Sequence, residues 1–195
     1  MKRKEIEQFL QIHPIKEMSA AKFEYALYLN PEMLKAANEY AEKQLEKSEE
    51  DIKLEKVIAE AVAPEELLKL MRKSTSGLNR SVIREKVLQH EEDMLPLIKE
   101  KCMRNGQNEF IENALHVFLH GKTNCCDWIM EAYSEIRSEY LKSLLCLVLG
   151  FRGEAELIPF LMKEVERFEK DYPYDSFEQG PLLAVHELAV RFFKL

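Results

Sequence analysis

NEFIENALHVFL, residues 108–119, decides the fold, because its apolar side chains return at helical rather than strand spacing. With Ala114 at the centre of the expected buried arc, Ile111, Leu115 and Phe118 lie beside it, and Glu112, His116 and His120 fall on the opposite, polar face. The triplet Ala114-Leu115-His116 recurs in kind as Leu144-Leu145-Cys146, thirty residues later. It recurs again as Ala184-Val185-His186, a further forty later.

Working outward, the chain from Pro64 onward reads as helix pairs. Pro64 to Arg72 and Arg80 to His90 form the first, broken at Ser74-Thr75-Ser76-Gly77. Asp93 to Met103 and Asn108 to Leu119 form the second, broken at Asn105-Gly106. Cys125 to Ile136 with Glu139 to Leu149, and Ala155 to Lys170 with Leu182 to Phe193, complete the set. Met94-Leu95-Pro96-Leu97-Ile98 is echoed by Leu157-Ile158-Pro159-Phe160-Leu161. Helix pairs recurring at this period cannot each bury an apolar face alone, so neighbours must stack.

These residues resemble HEAT-like repeats, which favour the Leu-Pro-x-Leu of Leu95-Pro96-Leu97 and Ile158-Pro159-Phe160, and a Val-Arg pair matched by Ile83-Arg84. The third pair lacks the proline, and only one pair keeps the arginine. The resemblance covers residues 64–195 and implies an all-α, short right-handed α-solenoid of stacked helix hairpins. Residues 1–63 match no repeat and are expected to form an N-terminal helical cap. There, Ile6 to Ile12, Ile15 to Leu29, a helix opened by Asn30-Pro31-Glu32 and running to Lys47, and Ile52 to Val62 read as helices.

Charge narrows the function. Lys and Arg against Asp and Glu number 10 to 13 over residues 1–63, 9 to 9 over 64–121, and 9 to 13 over 122–195. No region carries the positive footprint that phosphate backbones require, which weighs against nucleic acid. The apolar run Leu144 to Phe151 is too short to span a bilayer, and the N-terminus lacks the apolar core of a secretion signal. Cys102, Cys125, Cys126 and Cys146 follow no disulfide framework, so the expectation is a cytoplasmic chain with reduced thiols.

Three places are candidates for function. His116 and His120 share a helix face ahead of Cys125 and Cys126, a spacing that permits a metal. The Glu of a zinc-protease helix and the C-x-x-C of structural zinc are both missing, so solvated histidines are expected and no metal or cofactor. His116, Cys146 and His186 occupy equivalent positions on successive second helices, where they would form a polar stripe along a groove. The segment DYPYDSFEQGP, residues 171–181, gathers three aromatics into one loop of the last repeat. Cys125 and Cys126 stand near a helix start, where the helix dipole can acidify a thiol, but neighbouring thiols in a cytosolic chain are expected to be incidental.

The expected function is therefore a non-enzymatic module binding a protein or peptide, with a basic partner surface favoured by the acidic C-terminal third. Glu112, His116, Lys142, His186, Tyr172 and Tyr174 are the expected contacts. Leu182, Leu183, Val190 and Phe193 make the last helix apolar all round, which predicts a homodimer through that end. The alternatives are a metal-binding protein using His116 and His120, or a DNA glycosylase-like chain using Asp127, which otherwise caps its helix, and Trp128. HEAT-like enzymes of the glycosylase kind carry such residues along a basic groove, which this composition lacks.

Overall fold

The computed structural model describes residues 2–15, 48–104 and 106–195, with isolated positions between 32 and 43. Apart from those positions, the helices expected over 15–29 and 31–47, with the Asn30-Pro31-Glu32 start, lie outside the described residues. Regular structure among the described residues is entirely helical. Helix α1 spans Arg3–Ile12, α2 Glu49–Glu60, α3 Pro64–Leu70, α4 Gly77–Gln89 and α5 Glu91–Cys102. Helix α6 spans Asn108–His120, α7 Cys126–Ala132, α8 Glu139–Arg152, α9 Ile158–Asp171 and α10 Gln179–Leu188. A 3-10 turn, Ala155–Leu157, leads into α9, and a π turn, Ala189–Phe193, continues α10.

Hydroxyl caps set several helix starts. Ser48 Oγ accepts the Asp51 N–H at 3.1 Å, so α2 starts at Glu49, ahead of the Ile52 start expected. Ser76 caps Asn79 in the same way and brings the start of α4 forward to Gly77, and Ser138 caps Leu141 at the start of α8. Pro64 and Pro159 stand in first turns, where a missing N–H breaks no helical bond.

Helix ends are closed by side chains from other helices. Lys86 Nζ of α4 donates to the carbonyls of Ile58 and Ala59, each at 2.6 Å, and of Ala61 at 3.0 Å, the orphan acceptors ending α2. Arg191 Nη1 donates to Gly150 O and Phe151 O at 3.1 and 3.0 Å, doing the same for α8. Asn113 Nδ2 and Gln107 Nε2 bond Met71 O and Arg72 O just beyond α3. A cation at a helix C-terminus also meets the negative end of its dipole.

The chain forms two compact units, Ser19–Lys122 and Thr123–Leu195 together with Met1–Met18. In Ser19–Lys122, α2 packs on α4 and α4 on α6, while α3 packs on α5; α3–α4, α4–α5 and α5–α6 contacts link the rows. Ile58, Leu67, Met71, Ile83, Met94, Ile98, Phe110 and Phe118 fill its core.

In the second unit α8 packs on α10, α10 on α9, and α7 on α8. Helix α8 is buried at every position from Leu144 to Gly150, so it is covered on all sides. Its approach to α10 depends on two glycines. A Cβ on Gly150 would overlap Ala184 Cα, and one on Gly180 would overlap the Ser143 carbonyl. The N-terminal helix α1 belongs to this unit: Ile6 and Phe9 are buried, and His13 Nδ1 lies 3.0 Å from the carboxylate of Glu169 on α9.

Candidate functional site

The loop after α9 is held from beneath by aromatic packing. Phe168, Tyr172 and Phe177 form a triangle of rings with centroids 5.6–6.1 Å apart, two of its contacts edge-on. Ser143 Oγ of α8 donates to Phe177 O at 2.6 Å. The Asp175 N–H donates to Tyr172 O at 3.1 Å, closing a turn with Pro173 and Tyr174 at its centre. Proline fixes φ at the first central position, and Tyr172 is anchored in the ring triangle. Tyr174, at the tip, is 100% exposed.

Beside the triangle lies a partly buried ionic network. The Arg167 guanidinium stacks over the Phe168 ring at 4.1 Å and donates to Glu164 Oε2 at 2.7 and 2.9 Å and to Glu139 Oε2 at 2.9 Å. Lys142 Nζ meets the other Glu139 oxygen at 3.1 Å. The Tyr133 hydroxyl donates to Glu164 Oε2 at 2.6 Å and lies 3.4 Å from Cys146 Sγ, and its ring meets Phe160 edge-on. Two carboxylates thus face two cations, and the network is charge-balanced.

Its groups are held away from reactive forms. Burial pushes the Cys146 thiol up to about 12 and holds the Tyr133 phenol well above its ordinary range. Burial works against the Arg167 charge, but hydrogen bonds to Glu164 and Glu139 outweigh it and hold the guanidinium above its ordinary value.

A second polar cluster lies in Ser19–Lys122. Arg84 Nε donates to Asn113 Oδ1 at 2.8 Å, and both residues are buried. His116 is only 5% exposed, with its ring 4.5 Å from that of His120. Burial, then the positive charges of Arg84 and His120, lowers the His116 imidazole to about 3, so it is neutral near pH 7. Its buried Nδ1 has no hydrogen-bond partner among the described residues. No group of three His, Cys, Asp or Glu able to hold a metal occurs among the described residues. The positive charge of Arg84 further opposes a cation at the histidine pair.

Several expected placements are corrected by these positions. His116 and Cys146 are buried rather than presented on a polar stripe, because α6 and α8 are covered on more than the one face a helical wheel assumes. His186 is part-buried on α10. Glu112 is engaged by Arg80 at 3.4 Å, and Lys142 is largely buried in its pair with Glu139. Glu112 and His116 belong to one unit, while Lys142, His186, Tyr172 and Tyr174 belong to the other. Tyr172 and Tyr174 share the loop but divide its roles, one ring packed and the other displayed.

Cys125 and Cys126 are buried free thiols, and burial raises rather than lowers the Cys126 pKa. Asp127 lies in the first turn of α7 and is not its cap; the N-cap is Cys125, and Asn124 Oδ1 just before it accepts the Cys126 N–H at 3.0 Å. Trp128 is part-buried. In the apolar C-terminal set, Leu182 is already covered within its own chain, whereas Val190 and the unexpected Phe192 are exposed.

Sequence reasoning missed Arg167, Glu164, Tyr133 and the Arg84–Asn113 bond. Glu139 with Lys142 and Glu164 with Arg167 stand at i,i+3 spacing, a readable local signal. Their convergence, however, joins two helices. Among the described residues no helix is long and apolar enough to cross a membrane. No family model, curated protein or solved structure matches the chain.

Proposed function

We propose that the chain is a non-enzymatic interaction module, built of HEAT-like stacked helix pairs, that holds a protein or peptide partner at the turn bearing Tyr174. The observation that carries this reading is the full exposure of Tyr174 on a loop whose other rings are packed. An aromatic side chain offers large contact area with few rotatable bonds, and a pre-ordered loop reduces the entropy lost on binding.

Other features support the same reading. Within Ser19–Lys122, contacts run from α2 to α4 to α6 and from α3 to α5, with α3–α4, α4–α5 and α5–α6 contacts between them, as stacked helix pairs would give. The burial of Ile83 and Arg84 and the first-turn position of Pro159 agree with the repeat resemblance. The non-enzymatic part is supported by Cys102 and Cys146, whose thiols burial pushes up to about 12, far from a working thiolate. Four buried free cysteines suit a reducing compartment such as the cytoplasm.

The test is selection from a displayed peptide library on the immobilised full chain, counter-screened against Tyr174→Ala. Enrichment of peptides that lose binding to Tyr174→Ala is expected. Equal enrichment on both proteins, or none on either, would overturn the proposal.

A further inference from the structure

Resting on the reading of the Tyr174 turn as a docking surface, we propose that its partner is a cationic peptide segment that engages the turn through arginine. The exposed phenol ring offers a negative π face, on which a guanidinium stacks favourably. Asp171, the last residue of α9, and Asp175, which closes the turn, flank it and are both exposed. Neither makes a hydrogen bond or ion pair through its side chain among the described residues, whereas their acidic neighbours are engaged. Glu169 meets His13, and buried Glu178 accepts from Gln179 Nε2 at 2.8 Å.

The backbone adds to this charge. The fourteen-residue helix α9 ends at Asp171, which places the negative end of its dipole at the base of the turn. Lys170 is the basic residue in that last turn and is exposed. The wider balance, 9 Lys and Arg against 13 Asp and Glu over residues 122–195, also attracts a cation.

Other occupants fit less well. A phosphate backbone meets two exposed carboxylates. A purely apolar peptide finds one fully exposed ring, because Tyr172 and Phe177 are part-buried against each other and Phe168. Arginine suits the turn better than lysine, since its planar fork stacks on a ring while donating to a carboxylate.

The experiment is an NMR titration of the ¹⁵N-labelled full chain with three synthetic peptides of equal length. They alternate glycine with arginine, lysine or glutamate. The arginine peptide is expected to shift the backbone amides of residues 171–178, the lysine peptide to bind more weakly, and the glutamate peptide to leave them in place. Raising salt from about 50 to about 200 mM should weaken arginine binding. The double variant Asp171→Asn/Asp175→Asn should weaken it by roughly fivefold or more, with melting temperature retained.

Equal response to arginine and glutamate peptides, shifts confined to other residues, or an unaffected double variant would overturn the inference. Failure here is separable from failure of the docking surface. Tyr174-dependent peptides without cationic residues would sink the arginine partner while keeping the surface. A library yielding no Tyr174-dependent peptide would remove both.

Discussion

His116 sits in a strongly perturbed environment, and the perturbation has a definite pH signature. Its imidazole is lowered from the ordinary 6.5 to about 3 in the folded chain, so below about 6.5 the unfolded state binds the extra proton. The stability due to the neutral ring is therefore present above pH 6.5 and declines as pH falls toward 3. From pH 7 to pH 5 the parent chain should lose roughly 2 kcal/mol more stability than His116→Gln. Urea unfolding at the two pH values measures this difference, and equal losses would show that the ring is solvated. The sequence placed His116 on a polar face because a wheel drawn for one helix contains no second covering surface. Tyr174 was legible as a candidate, since three aromatics gathered in one loop stand out in composition. Which ring would be displayed depends on Phe168, Tyr172 and Phe177 packing together, which spacing alone does not specify.

At the scale of elements, apolar periodicity and capping residues were sufficient to find the described helices. Their limits moved where a serine changed role, as Ser48 and Ser76 did in becoming caps. What remained hidden was the joining of one helix to another. Lys86 is an unremarkable lysine in sequence, yet its ammonium satisfies three carbonyls at the end of α2. Lys86→Met should cost about 1–3 kcal/mol, because the part-buried carbonyls of Ile58 and Ala61 lose a charged donor. Hydrogen exchange should quicken first in residues 49–61, and uniform quickening across the chain would contradict this local role. The glycines of the α8–α10 contact make a second case. Gly150→Ala gains at most about 1 kcal/mol of helix propensity but forces α8 away from Ala184. The net result should be a loss of about 1–3 kcal/mol in denaturant unfolding; a more stable variant would mean that the two helices separate readily.

For the molecule as a whole, the described residues form an all-helical chain, and the proposed contact is the loop that displays Tyr174. The charge-balanced network of Arg167, Glu164, Glu139 and Lys142 supports that loop through the stacking of Arg167 on Phe168. Its two i,i+3 pairs are readable in sequence, but their convergence is not, because they lie on two helices whose approach is set by tertiary packing. The most direct measurement is the calorimetric affinity of a library-selected peptide for the parent chain, Tyr174→Ala and Tyr172→Ala, with a thermal melt of each. Tyr174→Ala should weaken binding by roughly tenfold or more at an unchanged melting temperature, as expected of an exposed anchor. Tyr172→Ala should lower the melting temperature, because its ring is part of the packing. Full affinity in Tyr174→Ala would contradict the account.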